Sequence, residues 1–182
     1  MEAFVKQTTL PGSLAEFDVW EPGDGFKYEW NDGEIVKFEG MKKKHLKLMR
    51  SLTRLFKETS AYNQGGELVH EQDVMLTGIQ LRRPDLAYFS GQQIDDSGNA
   101  AELIPAFVIE VISTFDQIIP VKAKLKEYFQ HGVQLVWLIY PDDRLVEIYT
   151  SFKNIQVCTD GDICSGSPVL TGFEIMASNL FL

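Results

Sequence analysis

Only two cysteines, Cys158 and Cys164, occur in the 182 residues. Neither has further Cys or His partners at zinc-site spacing, and so small a number excludes a disulfide-stapled scaffold. Reduced thiols and a cytoplasmic location are expected. Long apolar runs are missing too: nothing approaches the ~20 residues of a membrane span. The opening "MEAFVKQTTLPGSLAEFDVW" lacks the apolar core of a signal peptide, so no membrane partner is expected. Internal repeats, linkers and low-complexity segments are absent. Positive charge is also short, 17 Lys and Arg against 26 Asp and Glu for a net charge of −9. This balance argues against non-specific polyanion binding by the whole surface, because phosphate affinity comes from Lys and Arg. The basic residues are concentrated, more than half of them lying in "MKKKHLKLMRSLTRLFKE" and "LRRPD". Such a run is a solvated helix flank or a local nucleic-acid face.

A hydrophobic content of 45%, spread along the whole length, indicates a packed globular chain. Residues 1–182 are expected to form a single domain that buries roughly two-thirds of its unfolded surface. "FKYEWNDGEIVKFEG" reads as a hairpin around Asn31-Asp32-Gly33. Residues 42–60 read as an amphipathic helix with Leu46, Met49, Leu52, Leu55 and Phe56 on its apolar face. "ELVHEQDVML" and "RRPDLAYFS" read as strands, and "GQQIDDSGNAAELI" as a polar loop. A strand over 105–113, a helix over 119–131 ending at His131-Gly132, and a strand over 133–140 make a β-α-β unit with parallel strands. Pro141-Asp142-Asp143 then turns into the hairpin partner "RLVEIYTS". The fold class expected is α/β, a mixed sheet flanked by helices.

"PAFVIEVIST" has the β-branched apolar character of a strand buried on both faces, yet Glu110 sits in its middle. A carboxylate taken out of water without a partner is costly. It is either paired structurally, with Arg82, Arg83 or Lys124, or it serves a site. Asp85 starts the preceding strand, and adjacent strands bring the two acids within reach. Two carboxylates sharing a site repel unless a cation lies between them. Mg²⁺ suits that place, because it takes oxygen ligands from one or two carboxylates together with waters and phosphate oxygens. Lys124, on the following helix, is placed to orient a water or to stabilise charge on a phosphate. Each residue also has a plainer role: Asp85 as a strand start, Lys124 as a solvated helix lysine, with Lys122 and Lys126 on diverging faces. Ser113-Thr114 reads as a helix cap, and Trp137 and Tyr140 read as core.

The blocks "YEWNDGEIV", "RRPDLAYFS", "PAFVIEVIST", "KLKEYFQHGVQLVWLIYP", "LVEIY" and "SPVLTGFEI" occur in an order that resembles the Uma-two family of bacterial restriction-endonuclease-like proteins. That family is assigned to the PD-(D/E)XK nuclease superfamily, whose core is a mixed sheet with a Mg²⁺ site on central strands. The resemblance implies an endonuclease acting on DNA with Mg²⁺ or Mn²⁺. It implies Asp85 and Glu110 as the metal-holding acids, the carbonyl of Val111 or Ile112 as a further ligand, and Glu34 in "DGE" as an auxiliary acid. It departs from the superfamily pattern at Ile112, where a lysine is usual, and implies Lys124 as the replacement. A homodimer is expected if both strands of a duplex are cut. The alternatives are an inactive nuclease-fold binding module and hydrolysis of a small phosphate-containing substrate.

Overall fold

The computed structural model describes residues 10–39, 45–98, 103–114 and 116–181. Ser13 accepts from the Glu16 N–H and caps the short helix α1 (Leu14–Asp18). Asp32 and Gly33 both have positive φ, 47° and 88°, as a two-residue hairpin turn requires. The expected hairpin forms there, β1 (Phe26–Asn31) antiparallel to β2 (Glu34–Glu39).

The helix expected over 42–60 is shorter, α2 (Leu46–Phe56); positions 42–44 lie outside the described residues. Its buried stripe is Leu48, Met49, Leu52 and Phe56, while Leu46 is exposed. Thr59 then caps a separate turn of helix, α3 (Ser60–Asn63).

Two segments expected as single strands each split in two. "ELVHEQDVML" becomes β3 (Glu67–His70) and β4 (Val74–Thr77), separated at Glu71, whose φ is 48°. Of "RRPDLAYFS", Arg82 ends β5 (Gln80–Arg82) and the rest supplies β6 (Leu86–Phe89). The break falls at Pro84, which has no N–H for a ladder. In both cases the halves belong to different sheets, and the crossings lie side by side: Glu71 N–H donates to the Asp85 carbonyl at 3.2 Å. The four-stranded sheet runs β2-β1-β5-β4.

The segment expected as a polar loop contains α4 (Gly91–Asp96), opened by a reciprocal capping box between Ser90 and Gln93. The Ser-x-x-Gln spacing is its sequence signal. The β-α-β unit forms as expected from β7 (Phe107–Val111), α5 (Ile118–Gln130) and β8 (Leu135–Tyr140), with β7 and β8 parallel. Gly132, at φ 99°, follows the C-cap residue His131 and ends α5 as its C′ glycine. Ser113 and Thr114 do not cap α5, whose N-cap is Gln117; the Thr114 hydroxyl bonds Asp142 instead. The remaining strands are β9 (Leu145–Ser151), β10 (Asn154–Thr159), β11 (Ile163–Ser165) and β12 (Glu174–Met176), before α6 (Ala177–Leu180). The larger sheet is mixed, in the order β10-β9-β8-β7-β6-β3.

Side-chain parity along β7 sets the direction of its one charged residue. Phe107 and Ile109 point into the core shared with α2, Trp137 and the tail residues Leu170 and Phe173. Val108 points the other way, into the core under α5 with Val121, Leu125 and Tyr128. Strand alternation therefore turns Glu110 toward α5.

Candidate active site

Register brings the two acids together. Leu86 of β6 lies opposite Ile109 of β7 in an antiparallel pair, so Asp85, one residue earlier, stands beside Glu110. Asp85 Oδ2 accepts the Val111 N–H at 2.6 Å, which holds the aspartate against β7. Both carboxylates are buried. Lys27 Nζ lies 2.9 Å from Asp85 Oδ1 and 3.8 Å from Glu110 Oε2, so a single cation touches both acids.

The buried residues of α5 recur at three- and four-residue spacing, Val121, Lys124, Leu125 and Tyr128. Lys124 is thus on the core face and not solvated; it is only 6% exposed. Its Nζ is 2.7 Å from Glu110 Oε1 and 2.6 Å from Glu29 Oε1. One turn on, the Tyr128 hydroxyl donates to Glu110 Oε1 at 2.7 Å. Lys122 points elsewhere, to Tyr149 and Glu147.

Two of the central groups come from β1. Its alternation places Tyr28 and Trp30 in an apolar cluster with Phe17 and Leu81, which leaves Lys27 and Glu29 on the opposite face, turned toward Asp85, Glu110 and α5. Glu29 is fully buried and also accepts the Arg83 N–H at 3.0 Å. Arg82 lies 3.6 Å from Glu29 Oε2 and pairs with Glu127 through Nε at 2.8 Å. In the sequence, Lys-Tyr-Glu within an alternating strand reads as a solvated face, and no local signal distinguishes a charged face buried against another sheet.

Glu34 is not part of this arrangement. It is exposed at the hairpin turn opposite Asn31, and the acid that the hairpin brings to the site is Glu29. His45 and His70 also lie outside the cleft lining.

Among the described residues, four carboxylates, Glu29, Asp85, Glu110 and Glu127, face three cations, Lys27, Arg82 and Lys124. Burial pushes the Glu110 carboxyl upward; Lys124 and Lys27 offset part of this, while Asp85 and Glu29 add to it. Glu29 moves the opposite way: burial opposes, but Lys124 and Lys27, with the Arg83 N–H, hold it below its usual range. For Lys27, burial is outweighed by Glu110, Asp85 and Glu29, so its pKa is raised and it stays an ammonium. Burial, followed by the Glu110 charge, keeps Tyr128 a protonated hydrogen-bond donor.

Lys27, Asp85, Glu110, Lys124 and Tyr128 line the floor of a cleft with about 30 Å³ of solvent space, walled by Phe38, Ile112, Asp116 and Leu138. Among the described residues no trio of His, Cys, Asp or Glu forms a metal-holding group. The donor set is the Asp85–Glu110 pair: hard oxygens, already converging on one cation, in a cluster one positive charge short. This chemistry fits a hard divalent ion that brings its own waters.

The fold is a mixed sheet with helices on both faces, and it carries an Asp–Glu pair on adjacent strands beside a helix lysine. The crystal structure of a "putative nuclease belonging to DUF820" from Anabaena variabilis matches it with a TM-score of 0.78. The match covers 94% of this chain and 98% of that one at 21% identity, a likeness of fold. The family described as Uma2, "Putative restriction endonuclease", matches residues 14–178, and the chain belongs to that family. No curated protein matches the sequence. Among the described residues no helix is long and apolar enough to cross a membrane.

Proposed function

We propose that the chain is a Mg²⁺-dependent endonuclease that hydrolyses DNA phosphodiester bonds, with Mn²⁺ able to replace Mg²⁺. The observation that carries this reading is the convergence of Asp85 and Glu110 on one cation in a small cleft, with Lys124 Nζ 2.7 Å from Glu110. Asp85 and Glu110 would hold the metal, with the Val111 carbonyl as a further oxygen ligand. When bound, a divalent ion supplies positive charge at the phosphate and lowers the pKa of a water. Lys124 donates a hydrogen bond to the attacking water, aimed by its bond to Glu29. The water oxygen gives up a proton as it bonds to phosphorus, one P–O ester bond breaks, and the departing oxygen takes up a proton, so that one water is consumed overall. Tyr128 fixes Glu110, and Glu29 takes the auxiliary acid's place that the family resemblance implied for Glu34. Cutting a duplex needs two such sites, so the active species in this reading is a homodimer.

A second reading, an inactive nuclease-fold binding module, is favoured by the Lys27 ammonium lying on both acids. Cleavage of single-stranded and duplex DNA with Mg²⁺ or Mn²⁺ separates the two. Wild type is expected to cut, Asp85→Ala and Glu110→Ala to be inactive, and Lys124→Ala to lose about 10²–10⁴-fold. Equal cutting by all variants sinks the site, whereas a wild type that binds DNA but never cuts supports the module.

A further inference from the structure

Lys27 stands where a second cation belongs. Its ammonium touches Asp85 Oδ1 at 2.9 Å and Glu110 Oε2 at 3.8 Å, the same two carboxylates that would hold a divalent ion. It arrives from β1, a strand of the other sheet, beneath the Phe38 ring at 5.8 Å. Lys124 is placed differently: its partners are Glu29 and the Glu110 oxygen that also receives Tyr128. Mg²⁺ demands oxygens at about 2.0–2.1 Å and keeps several waters. The solvent space left at the floor is about 30 Å³, and both cations need the same carboxylate oxygens. An ammonium and a hydrated divalent ion therefore exclude one another between these acids. A larger space of about 330 Å³ adjoins, sharing Phe38 and Asp116 with the cleft, so a displaced Lys27 has an exit and a carboxylate nearby.

We propose that Lys27 is a tethered competitor for the divalent ion and so sets the metal affinity of the site: metal enters only as Lys27 Nζ leaves Asp85. The inference rests on the reading of Asp85 and Glu110 as the metal-holding pair. A conformation that blocks a site nine-tenths of the time weakens apparent affinity about tenfold. Removing the ammonium lifts that penalty, and it also deepens the local negative charge.

Titration calorimetry with MgCl₂ and with MnCl₂ on the full chain tests this in wild type, Lys27→Met, Lys27→Gln and Asp85→Ala. The expected result is binding about tenfold tighter or more in either Lys27 variant, and none in Asp85→Ala. Two variants of different polarity guard against a loss of fold in one, and circular dichroism checks each. A wild-type measurement covers the case in which neither folds: pulsed acetylation read by mass spectrometry, where bound metal is expected to expose Lys27 to the reagent. Unchanged or weaker affinity in folded Lys27 variants, no binding in any of them, or Lys27 protection that metal leaves unaltered overturns the inference. Metal binding that persists in Asp85→Ala sinks the acid-pair reading as well. Dependence on Asp85 with affinity unmoved by Lys27 substitution sinks only the role of Lys27.

Discussion

Glu29 and Glu34 lie on the same hairpin five residues apart, and burial separates their roles. Glu29→Ala takes one of two buried carboxylates from Lys124, which keeps Glu110, and leaves Arg82 on Glu127 alone; breaking a buried ion pair from one side costs up to about 3–5 kcal/mol. Urea denaturation should register that loss, and cleavage should fall with it. Glu34→Ala, at an exposed position, should stay within about 0.5 kcal/mol of wild type and cut normally. The reverse pattern would return the auxiliary role to Glu34. Glu110 was legible in the sequence because a charge in an apolar strand is anomalous. Lys27 and Glu29 were not, because alternation with aromatics is what a half-solvated strand also shows. Asp24 gives a separate test. The Tyr28 hydroxyl at 2.7 Å, with the Phe26 N–H and Lys37, lowers its pKa to about 2 against the opposing effect of desolvation. A lowered carboxyl pKa stabilises the fold above its ordinary value of 3.8, and that contribution is lost as pH falls through about 2. An NMR titration should place the Asp24 midpoint there, and Tyr28→Phe should move it upward. An unmoved midpoint would remove the phenol as the cause.

At the scale of elements, α4 went unread although its capping box is written in Ser90 and Gln93. The cluster of polar residues and glycines around it has the composition of a loop, and composition outweighed a three-residue signal. Ser90→Ala removes the side-chain acceptor for Gln93 N–H and should cost about 1 kcal/mol. Gly91→Ala should cost more, because its Cβ would lie 2.3 Å from the Gln64 carbonyl oxygen, and backbone on both sides resists adjustment. Thermal unfolding of the two variants orders them, and Ser90→Ala proving the more harmful would refute the clash. The split strands share a related cause. The runs on either side of Glu71 and of Pro84 all read as strand in the sequence, but a strand's pattern carries no label for the sheet it joins.

For the whole molecule, the larger sheet is the rigid frame. β7 and β8 sit at its centre with Phe107, Ile109, Trp137 and Ile139 wholly buried, whereas β10 lies at an edge and is largely exposed. Native-state hydrogen exchange should therefore find β7 and β8 amides opening only with global unfolding, and β10 opening by local fluctuation. Equal protection across the sheet would contradict a central frame. The acid–lysine cluster lies where this frame meets the four-stranded sheet, which ties its geometry to the contact between them. By itself the sequence determined the β-α-β unit, the Asp32-Gly33 hairpin, the mixed α/β class and the anomalous Glu110, because periodicity, turn chemistry and the cost of a buried charge act over short stretches. Only the tertiary structure decided which carboxylates and ammonium groups meet. That depended on strand register, on the parity of Glu110 toward α5, and on β1 turning its charged face inward, and each of these couples residues far apart in the chain.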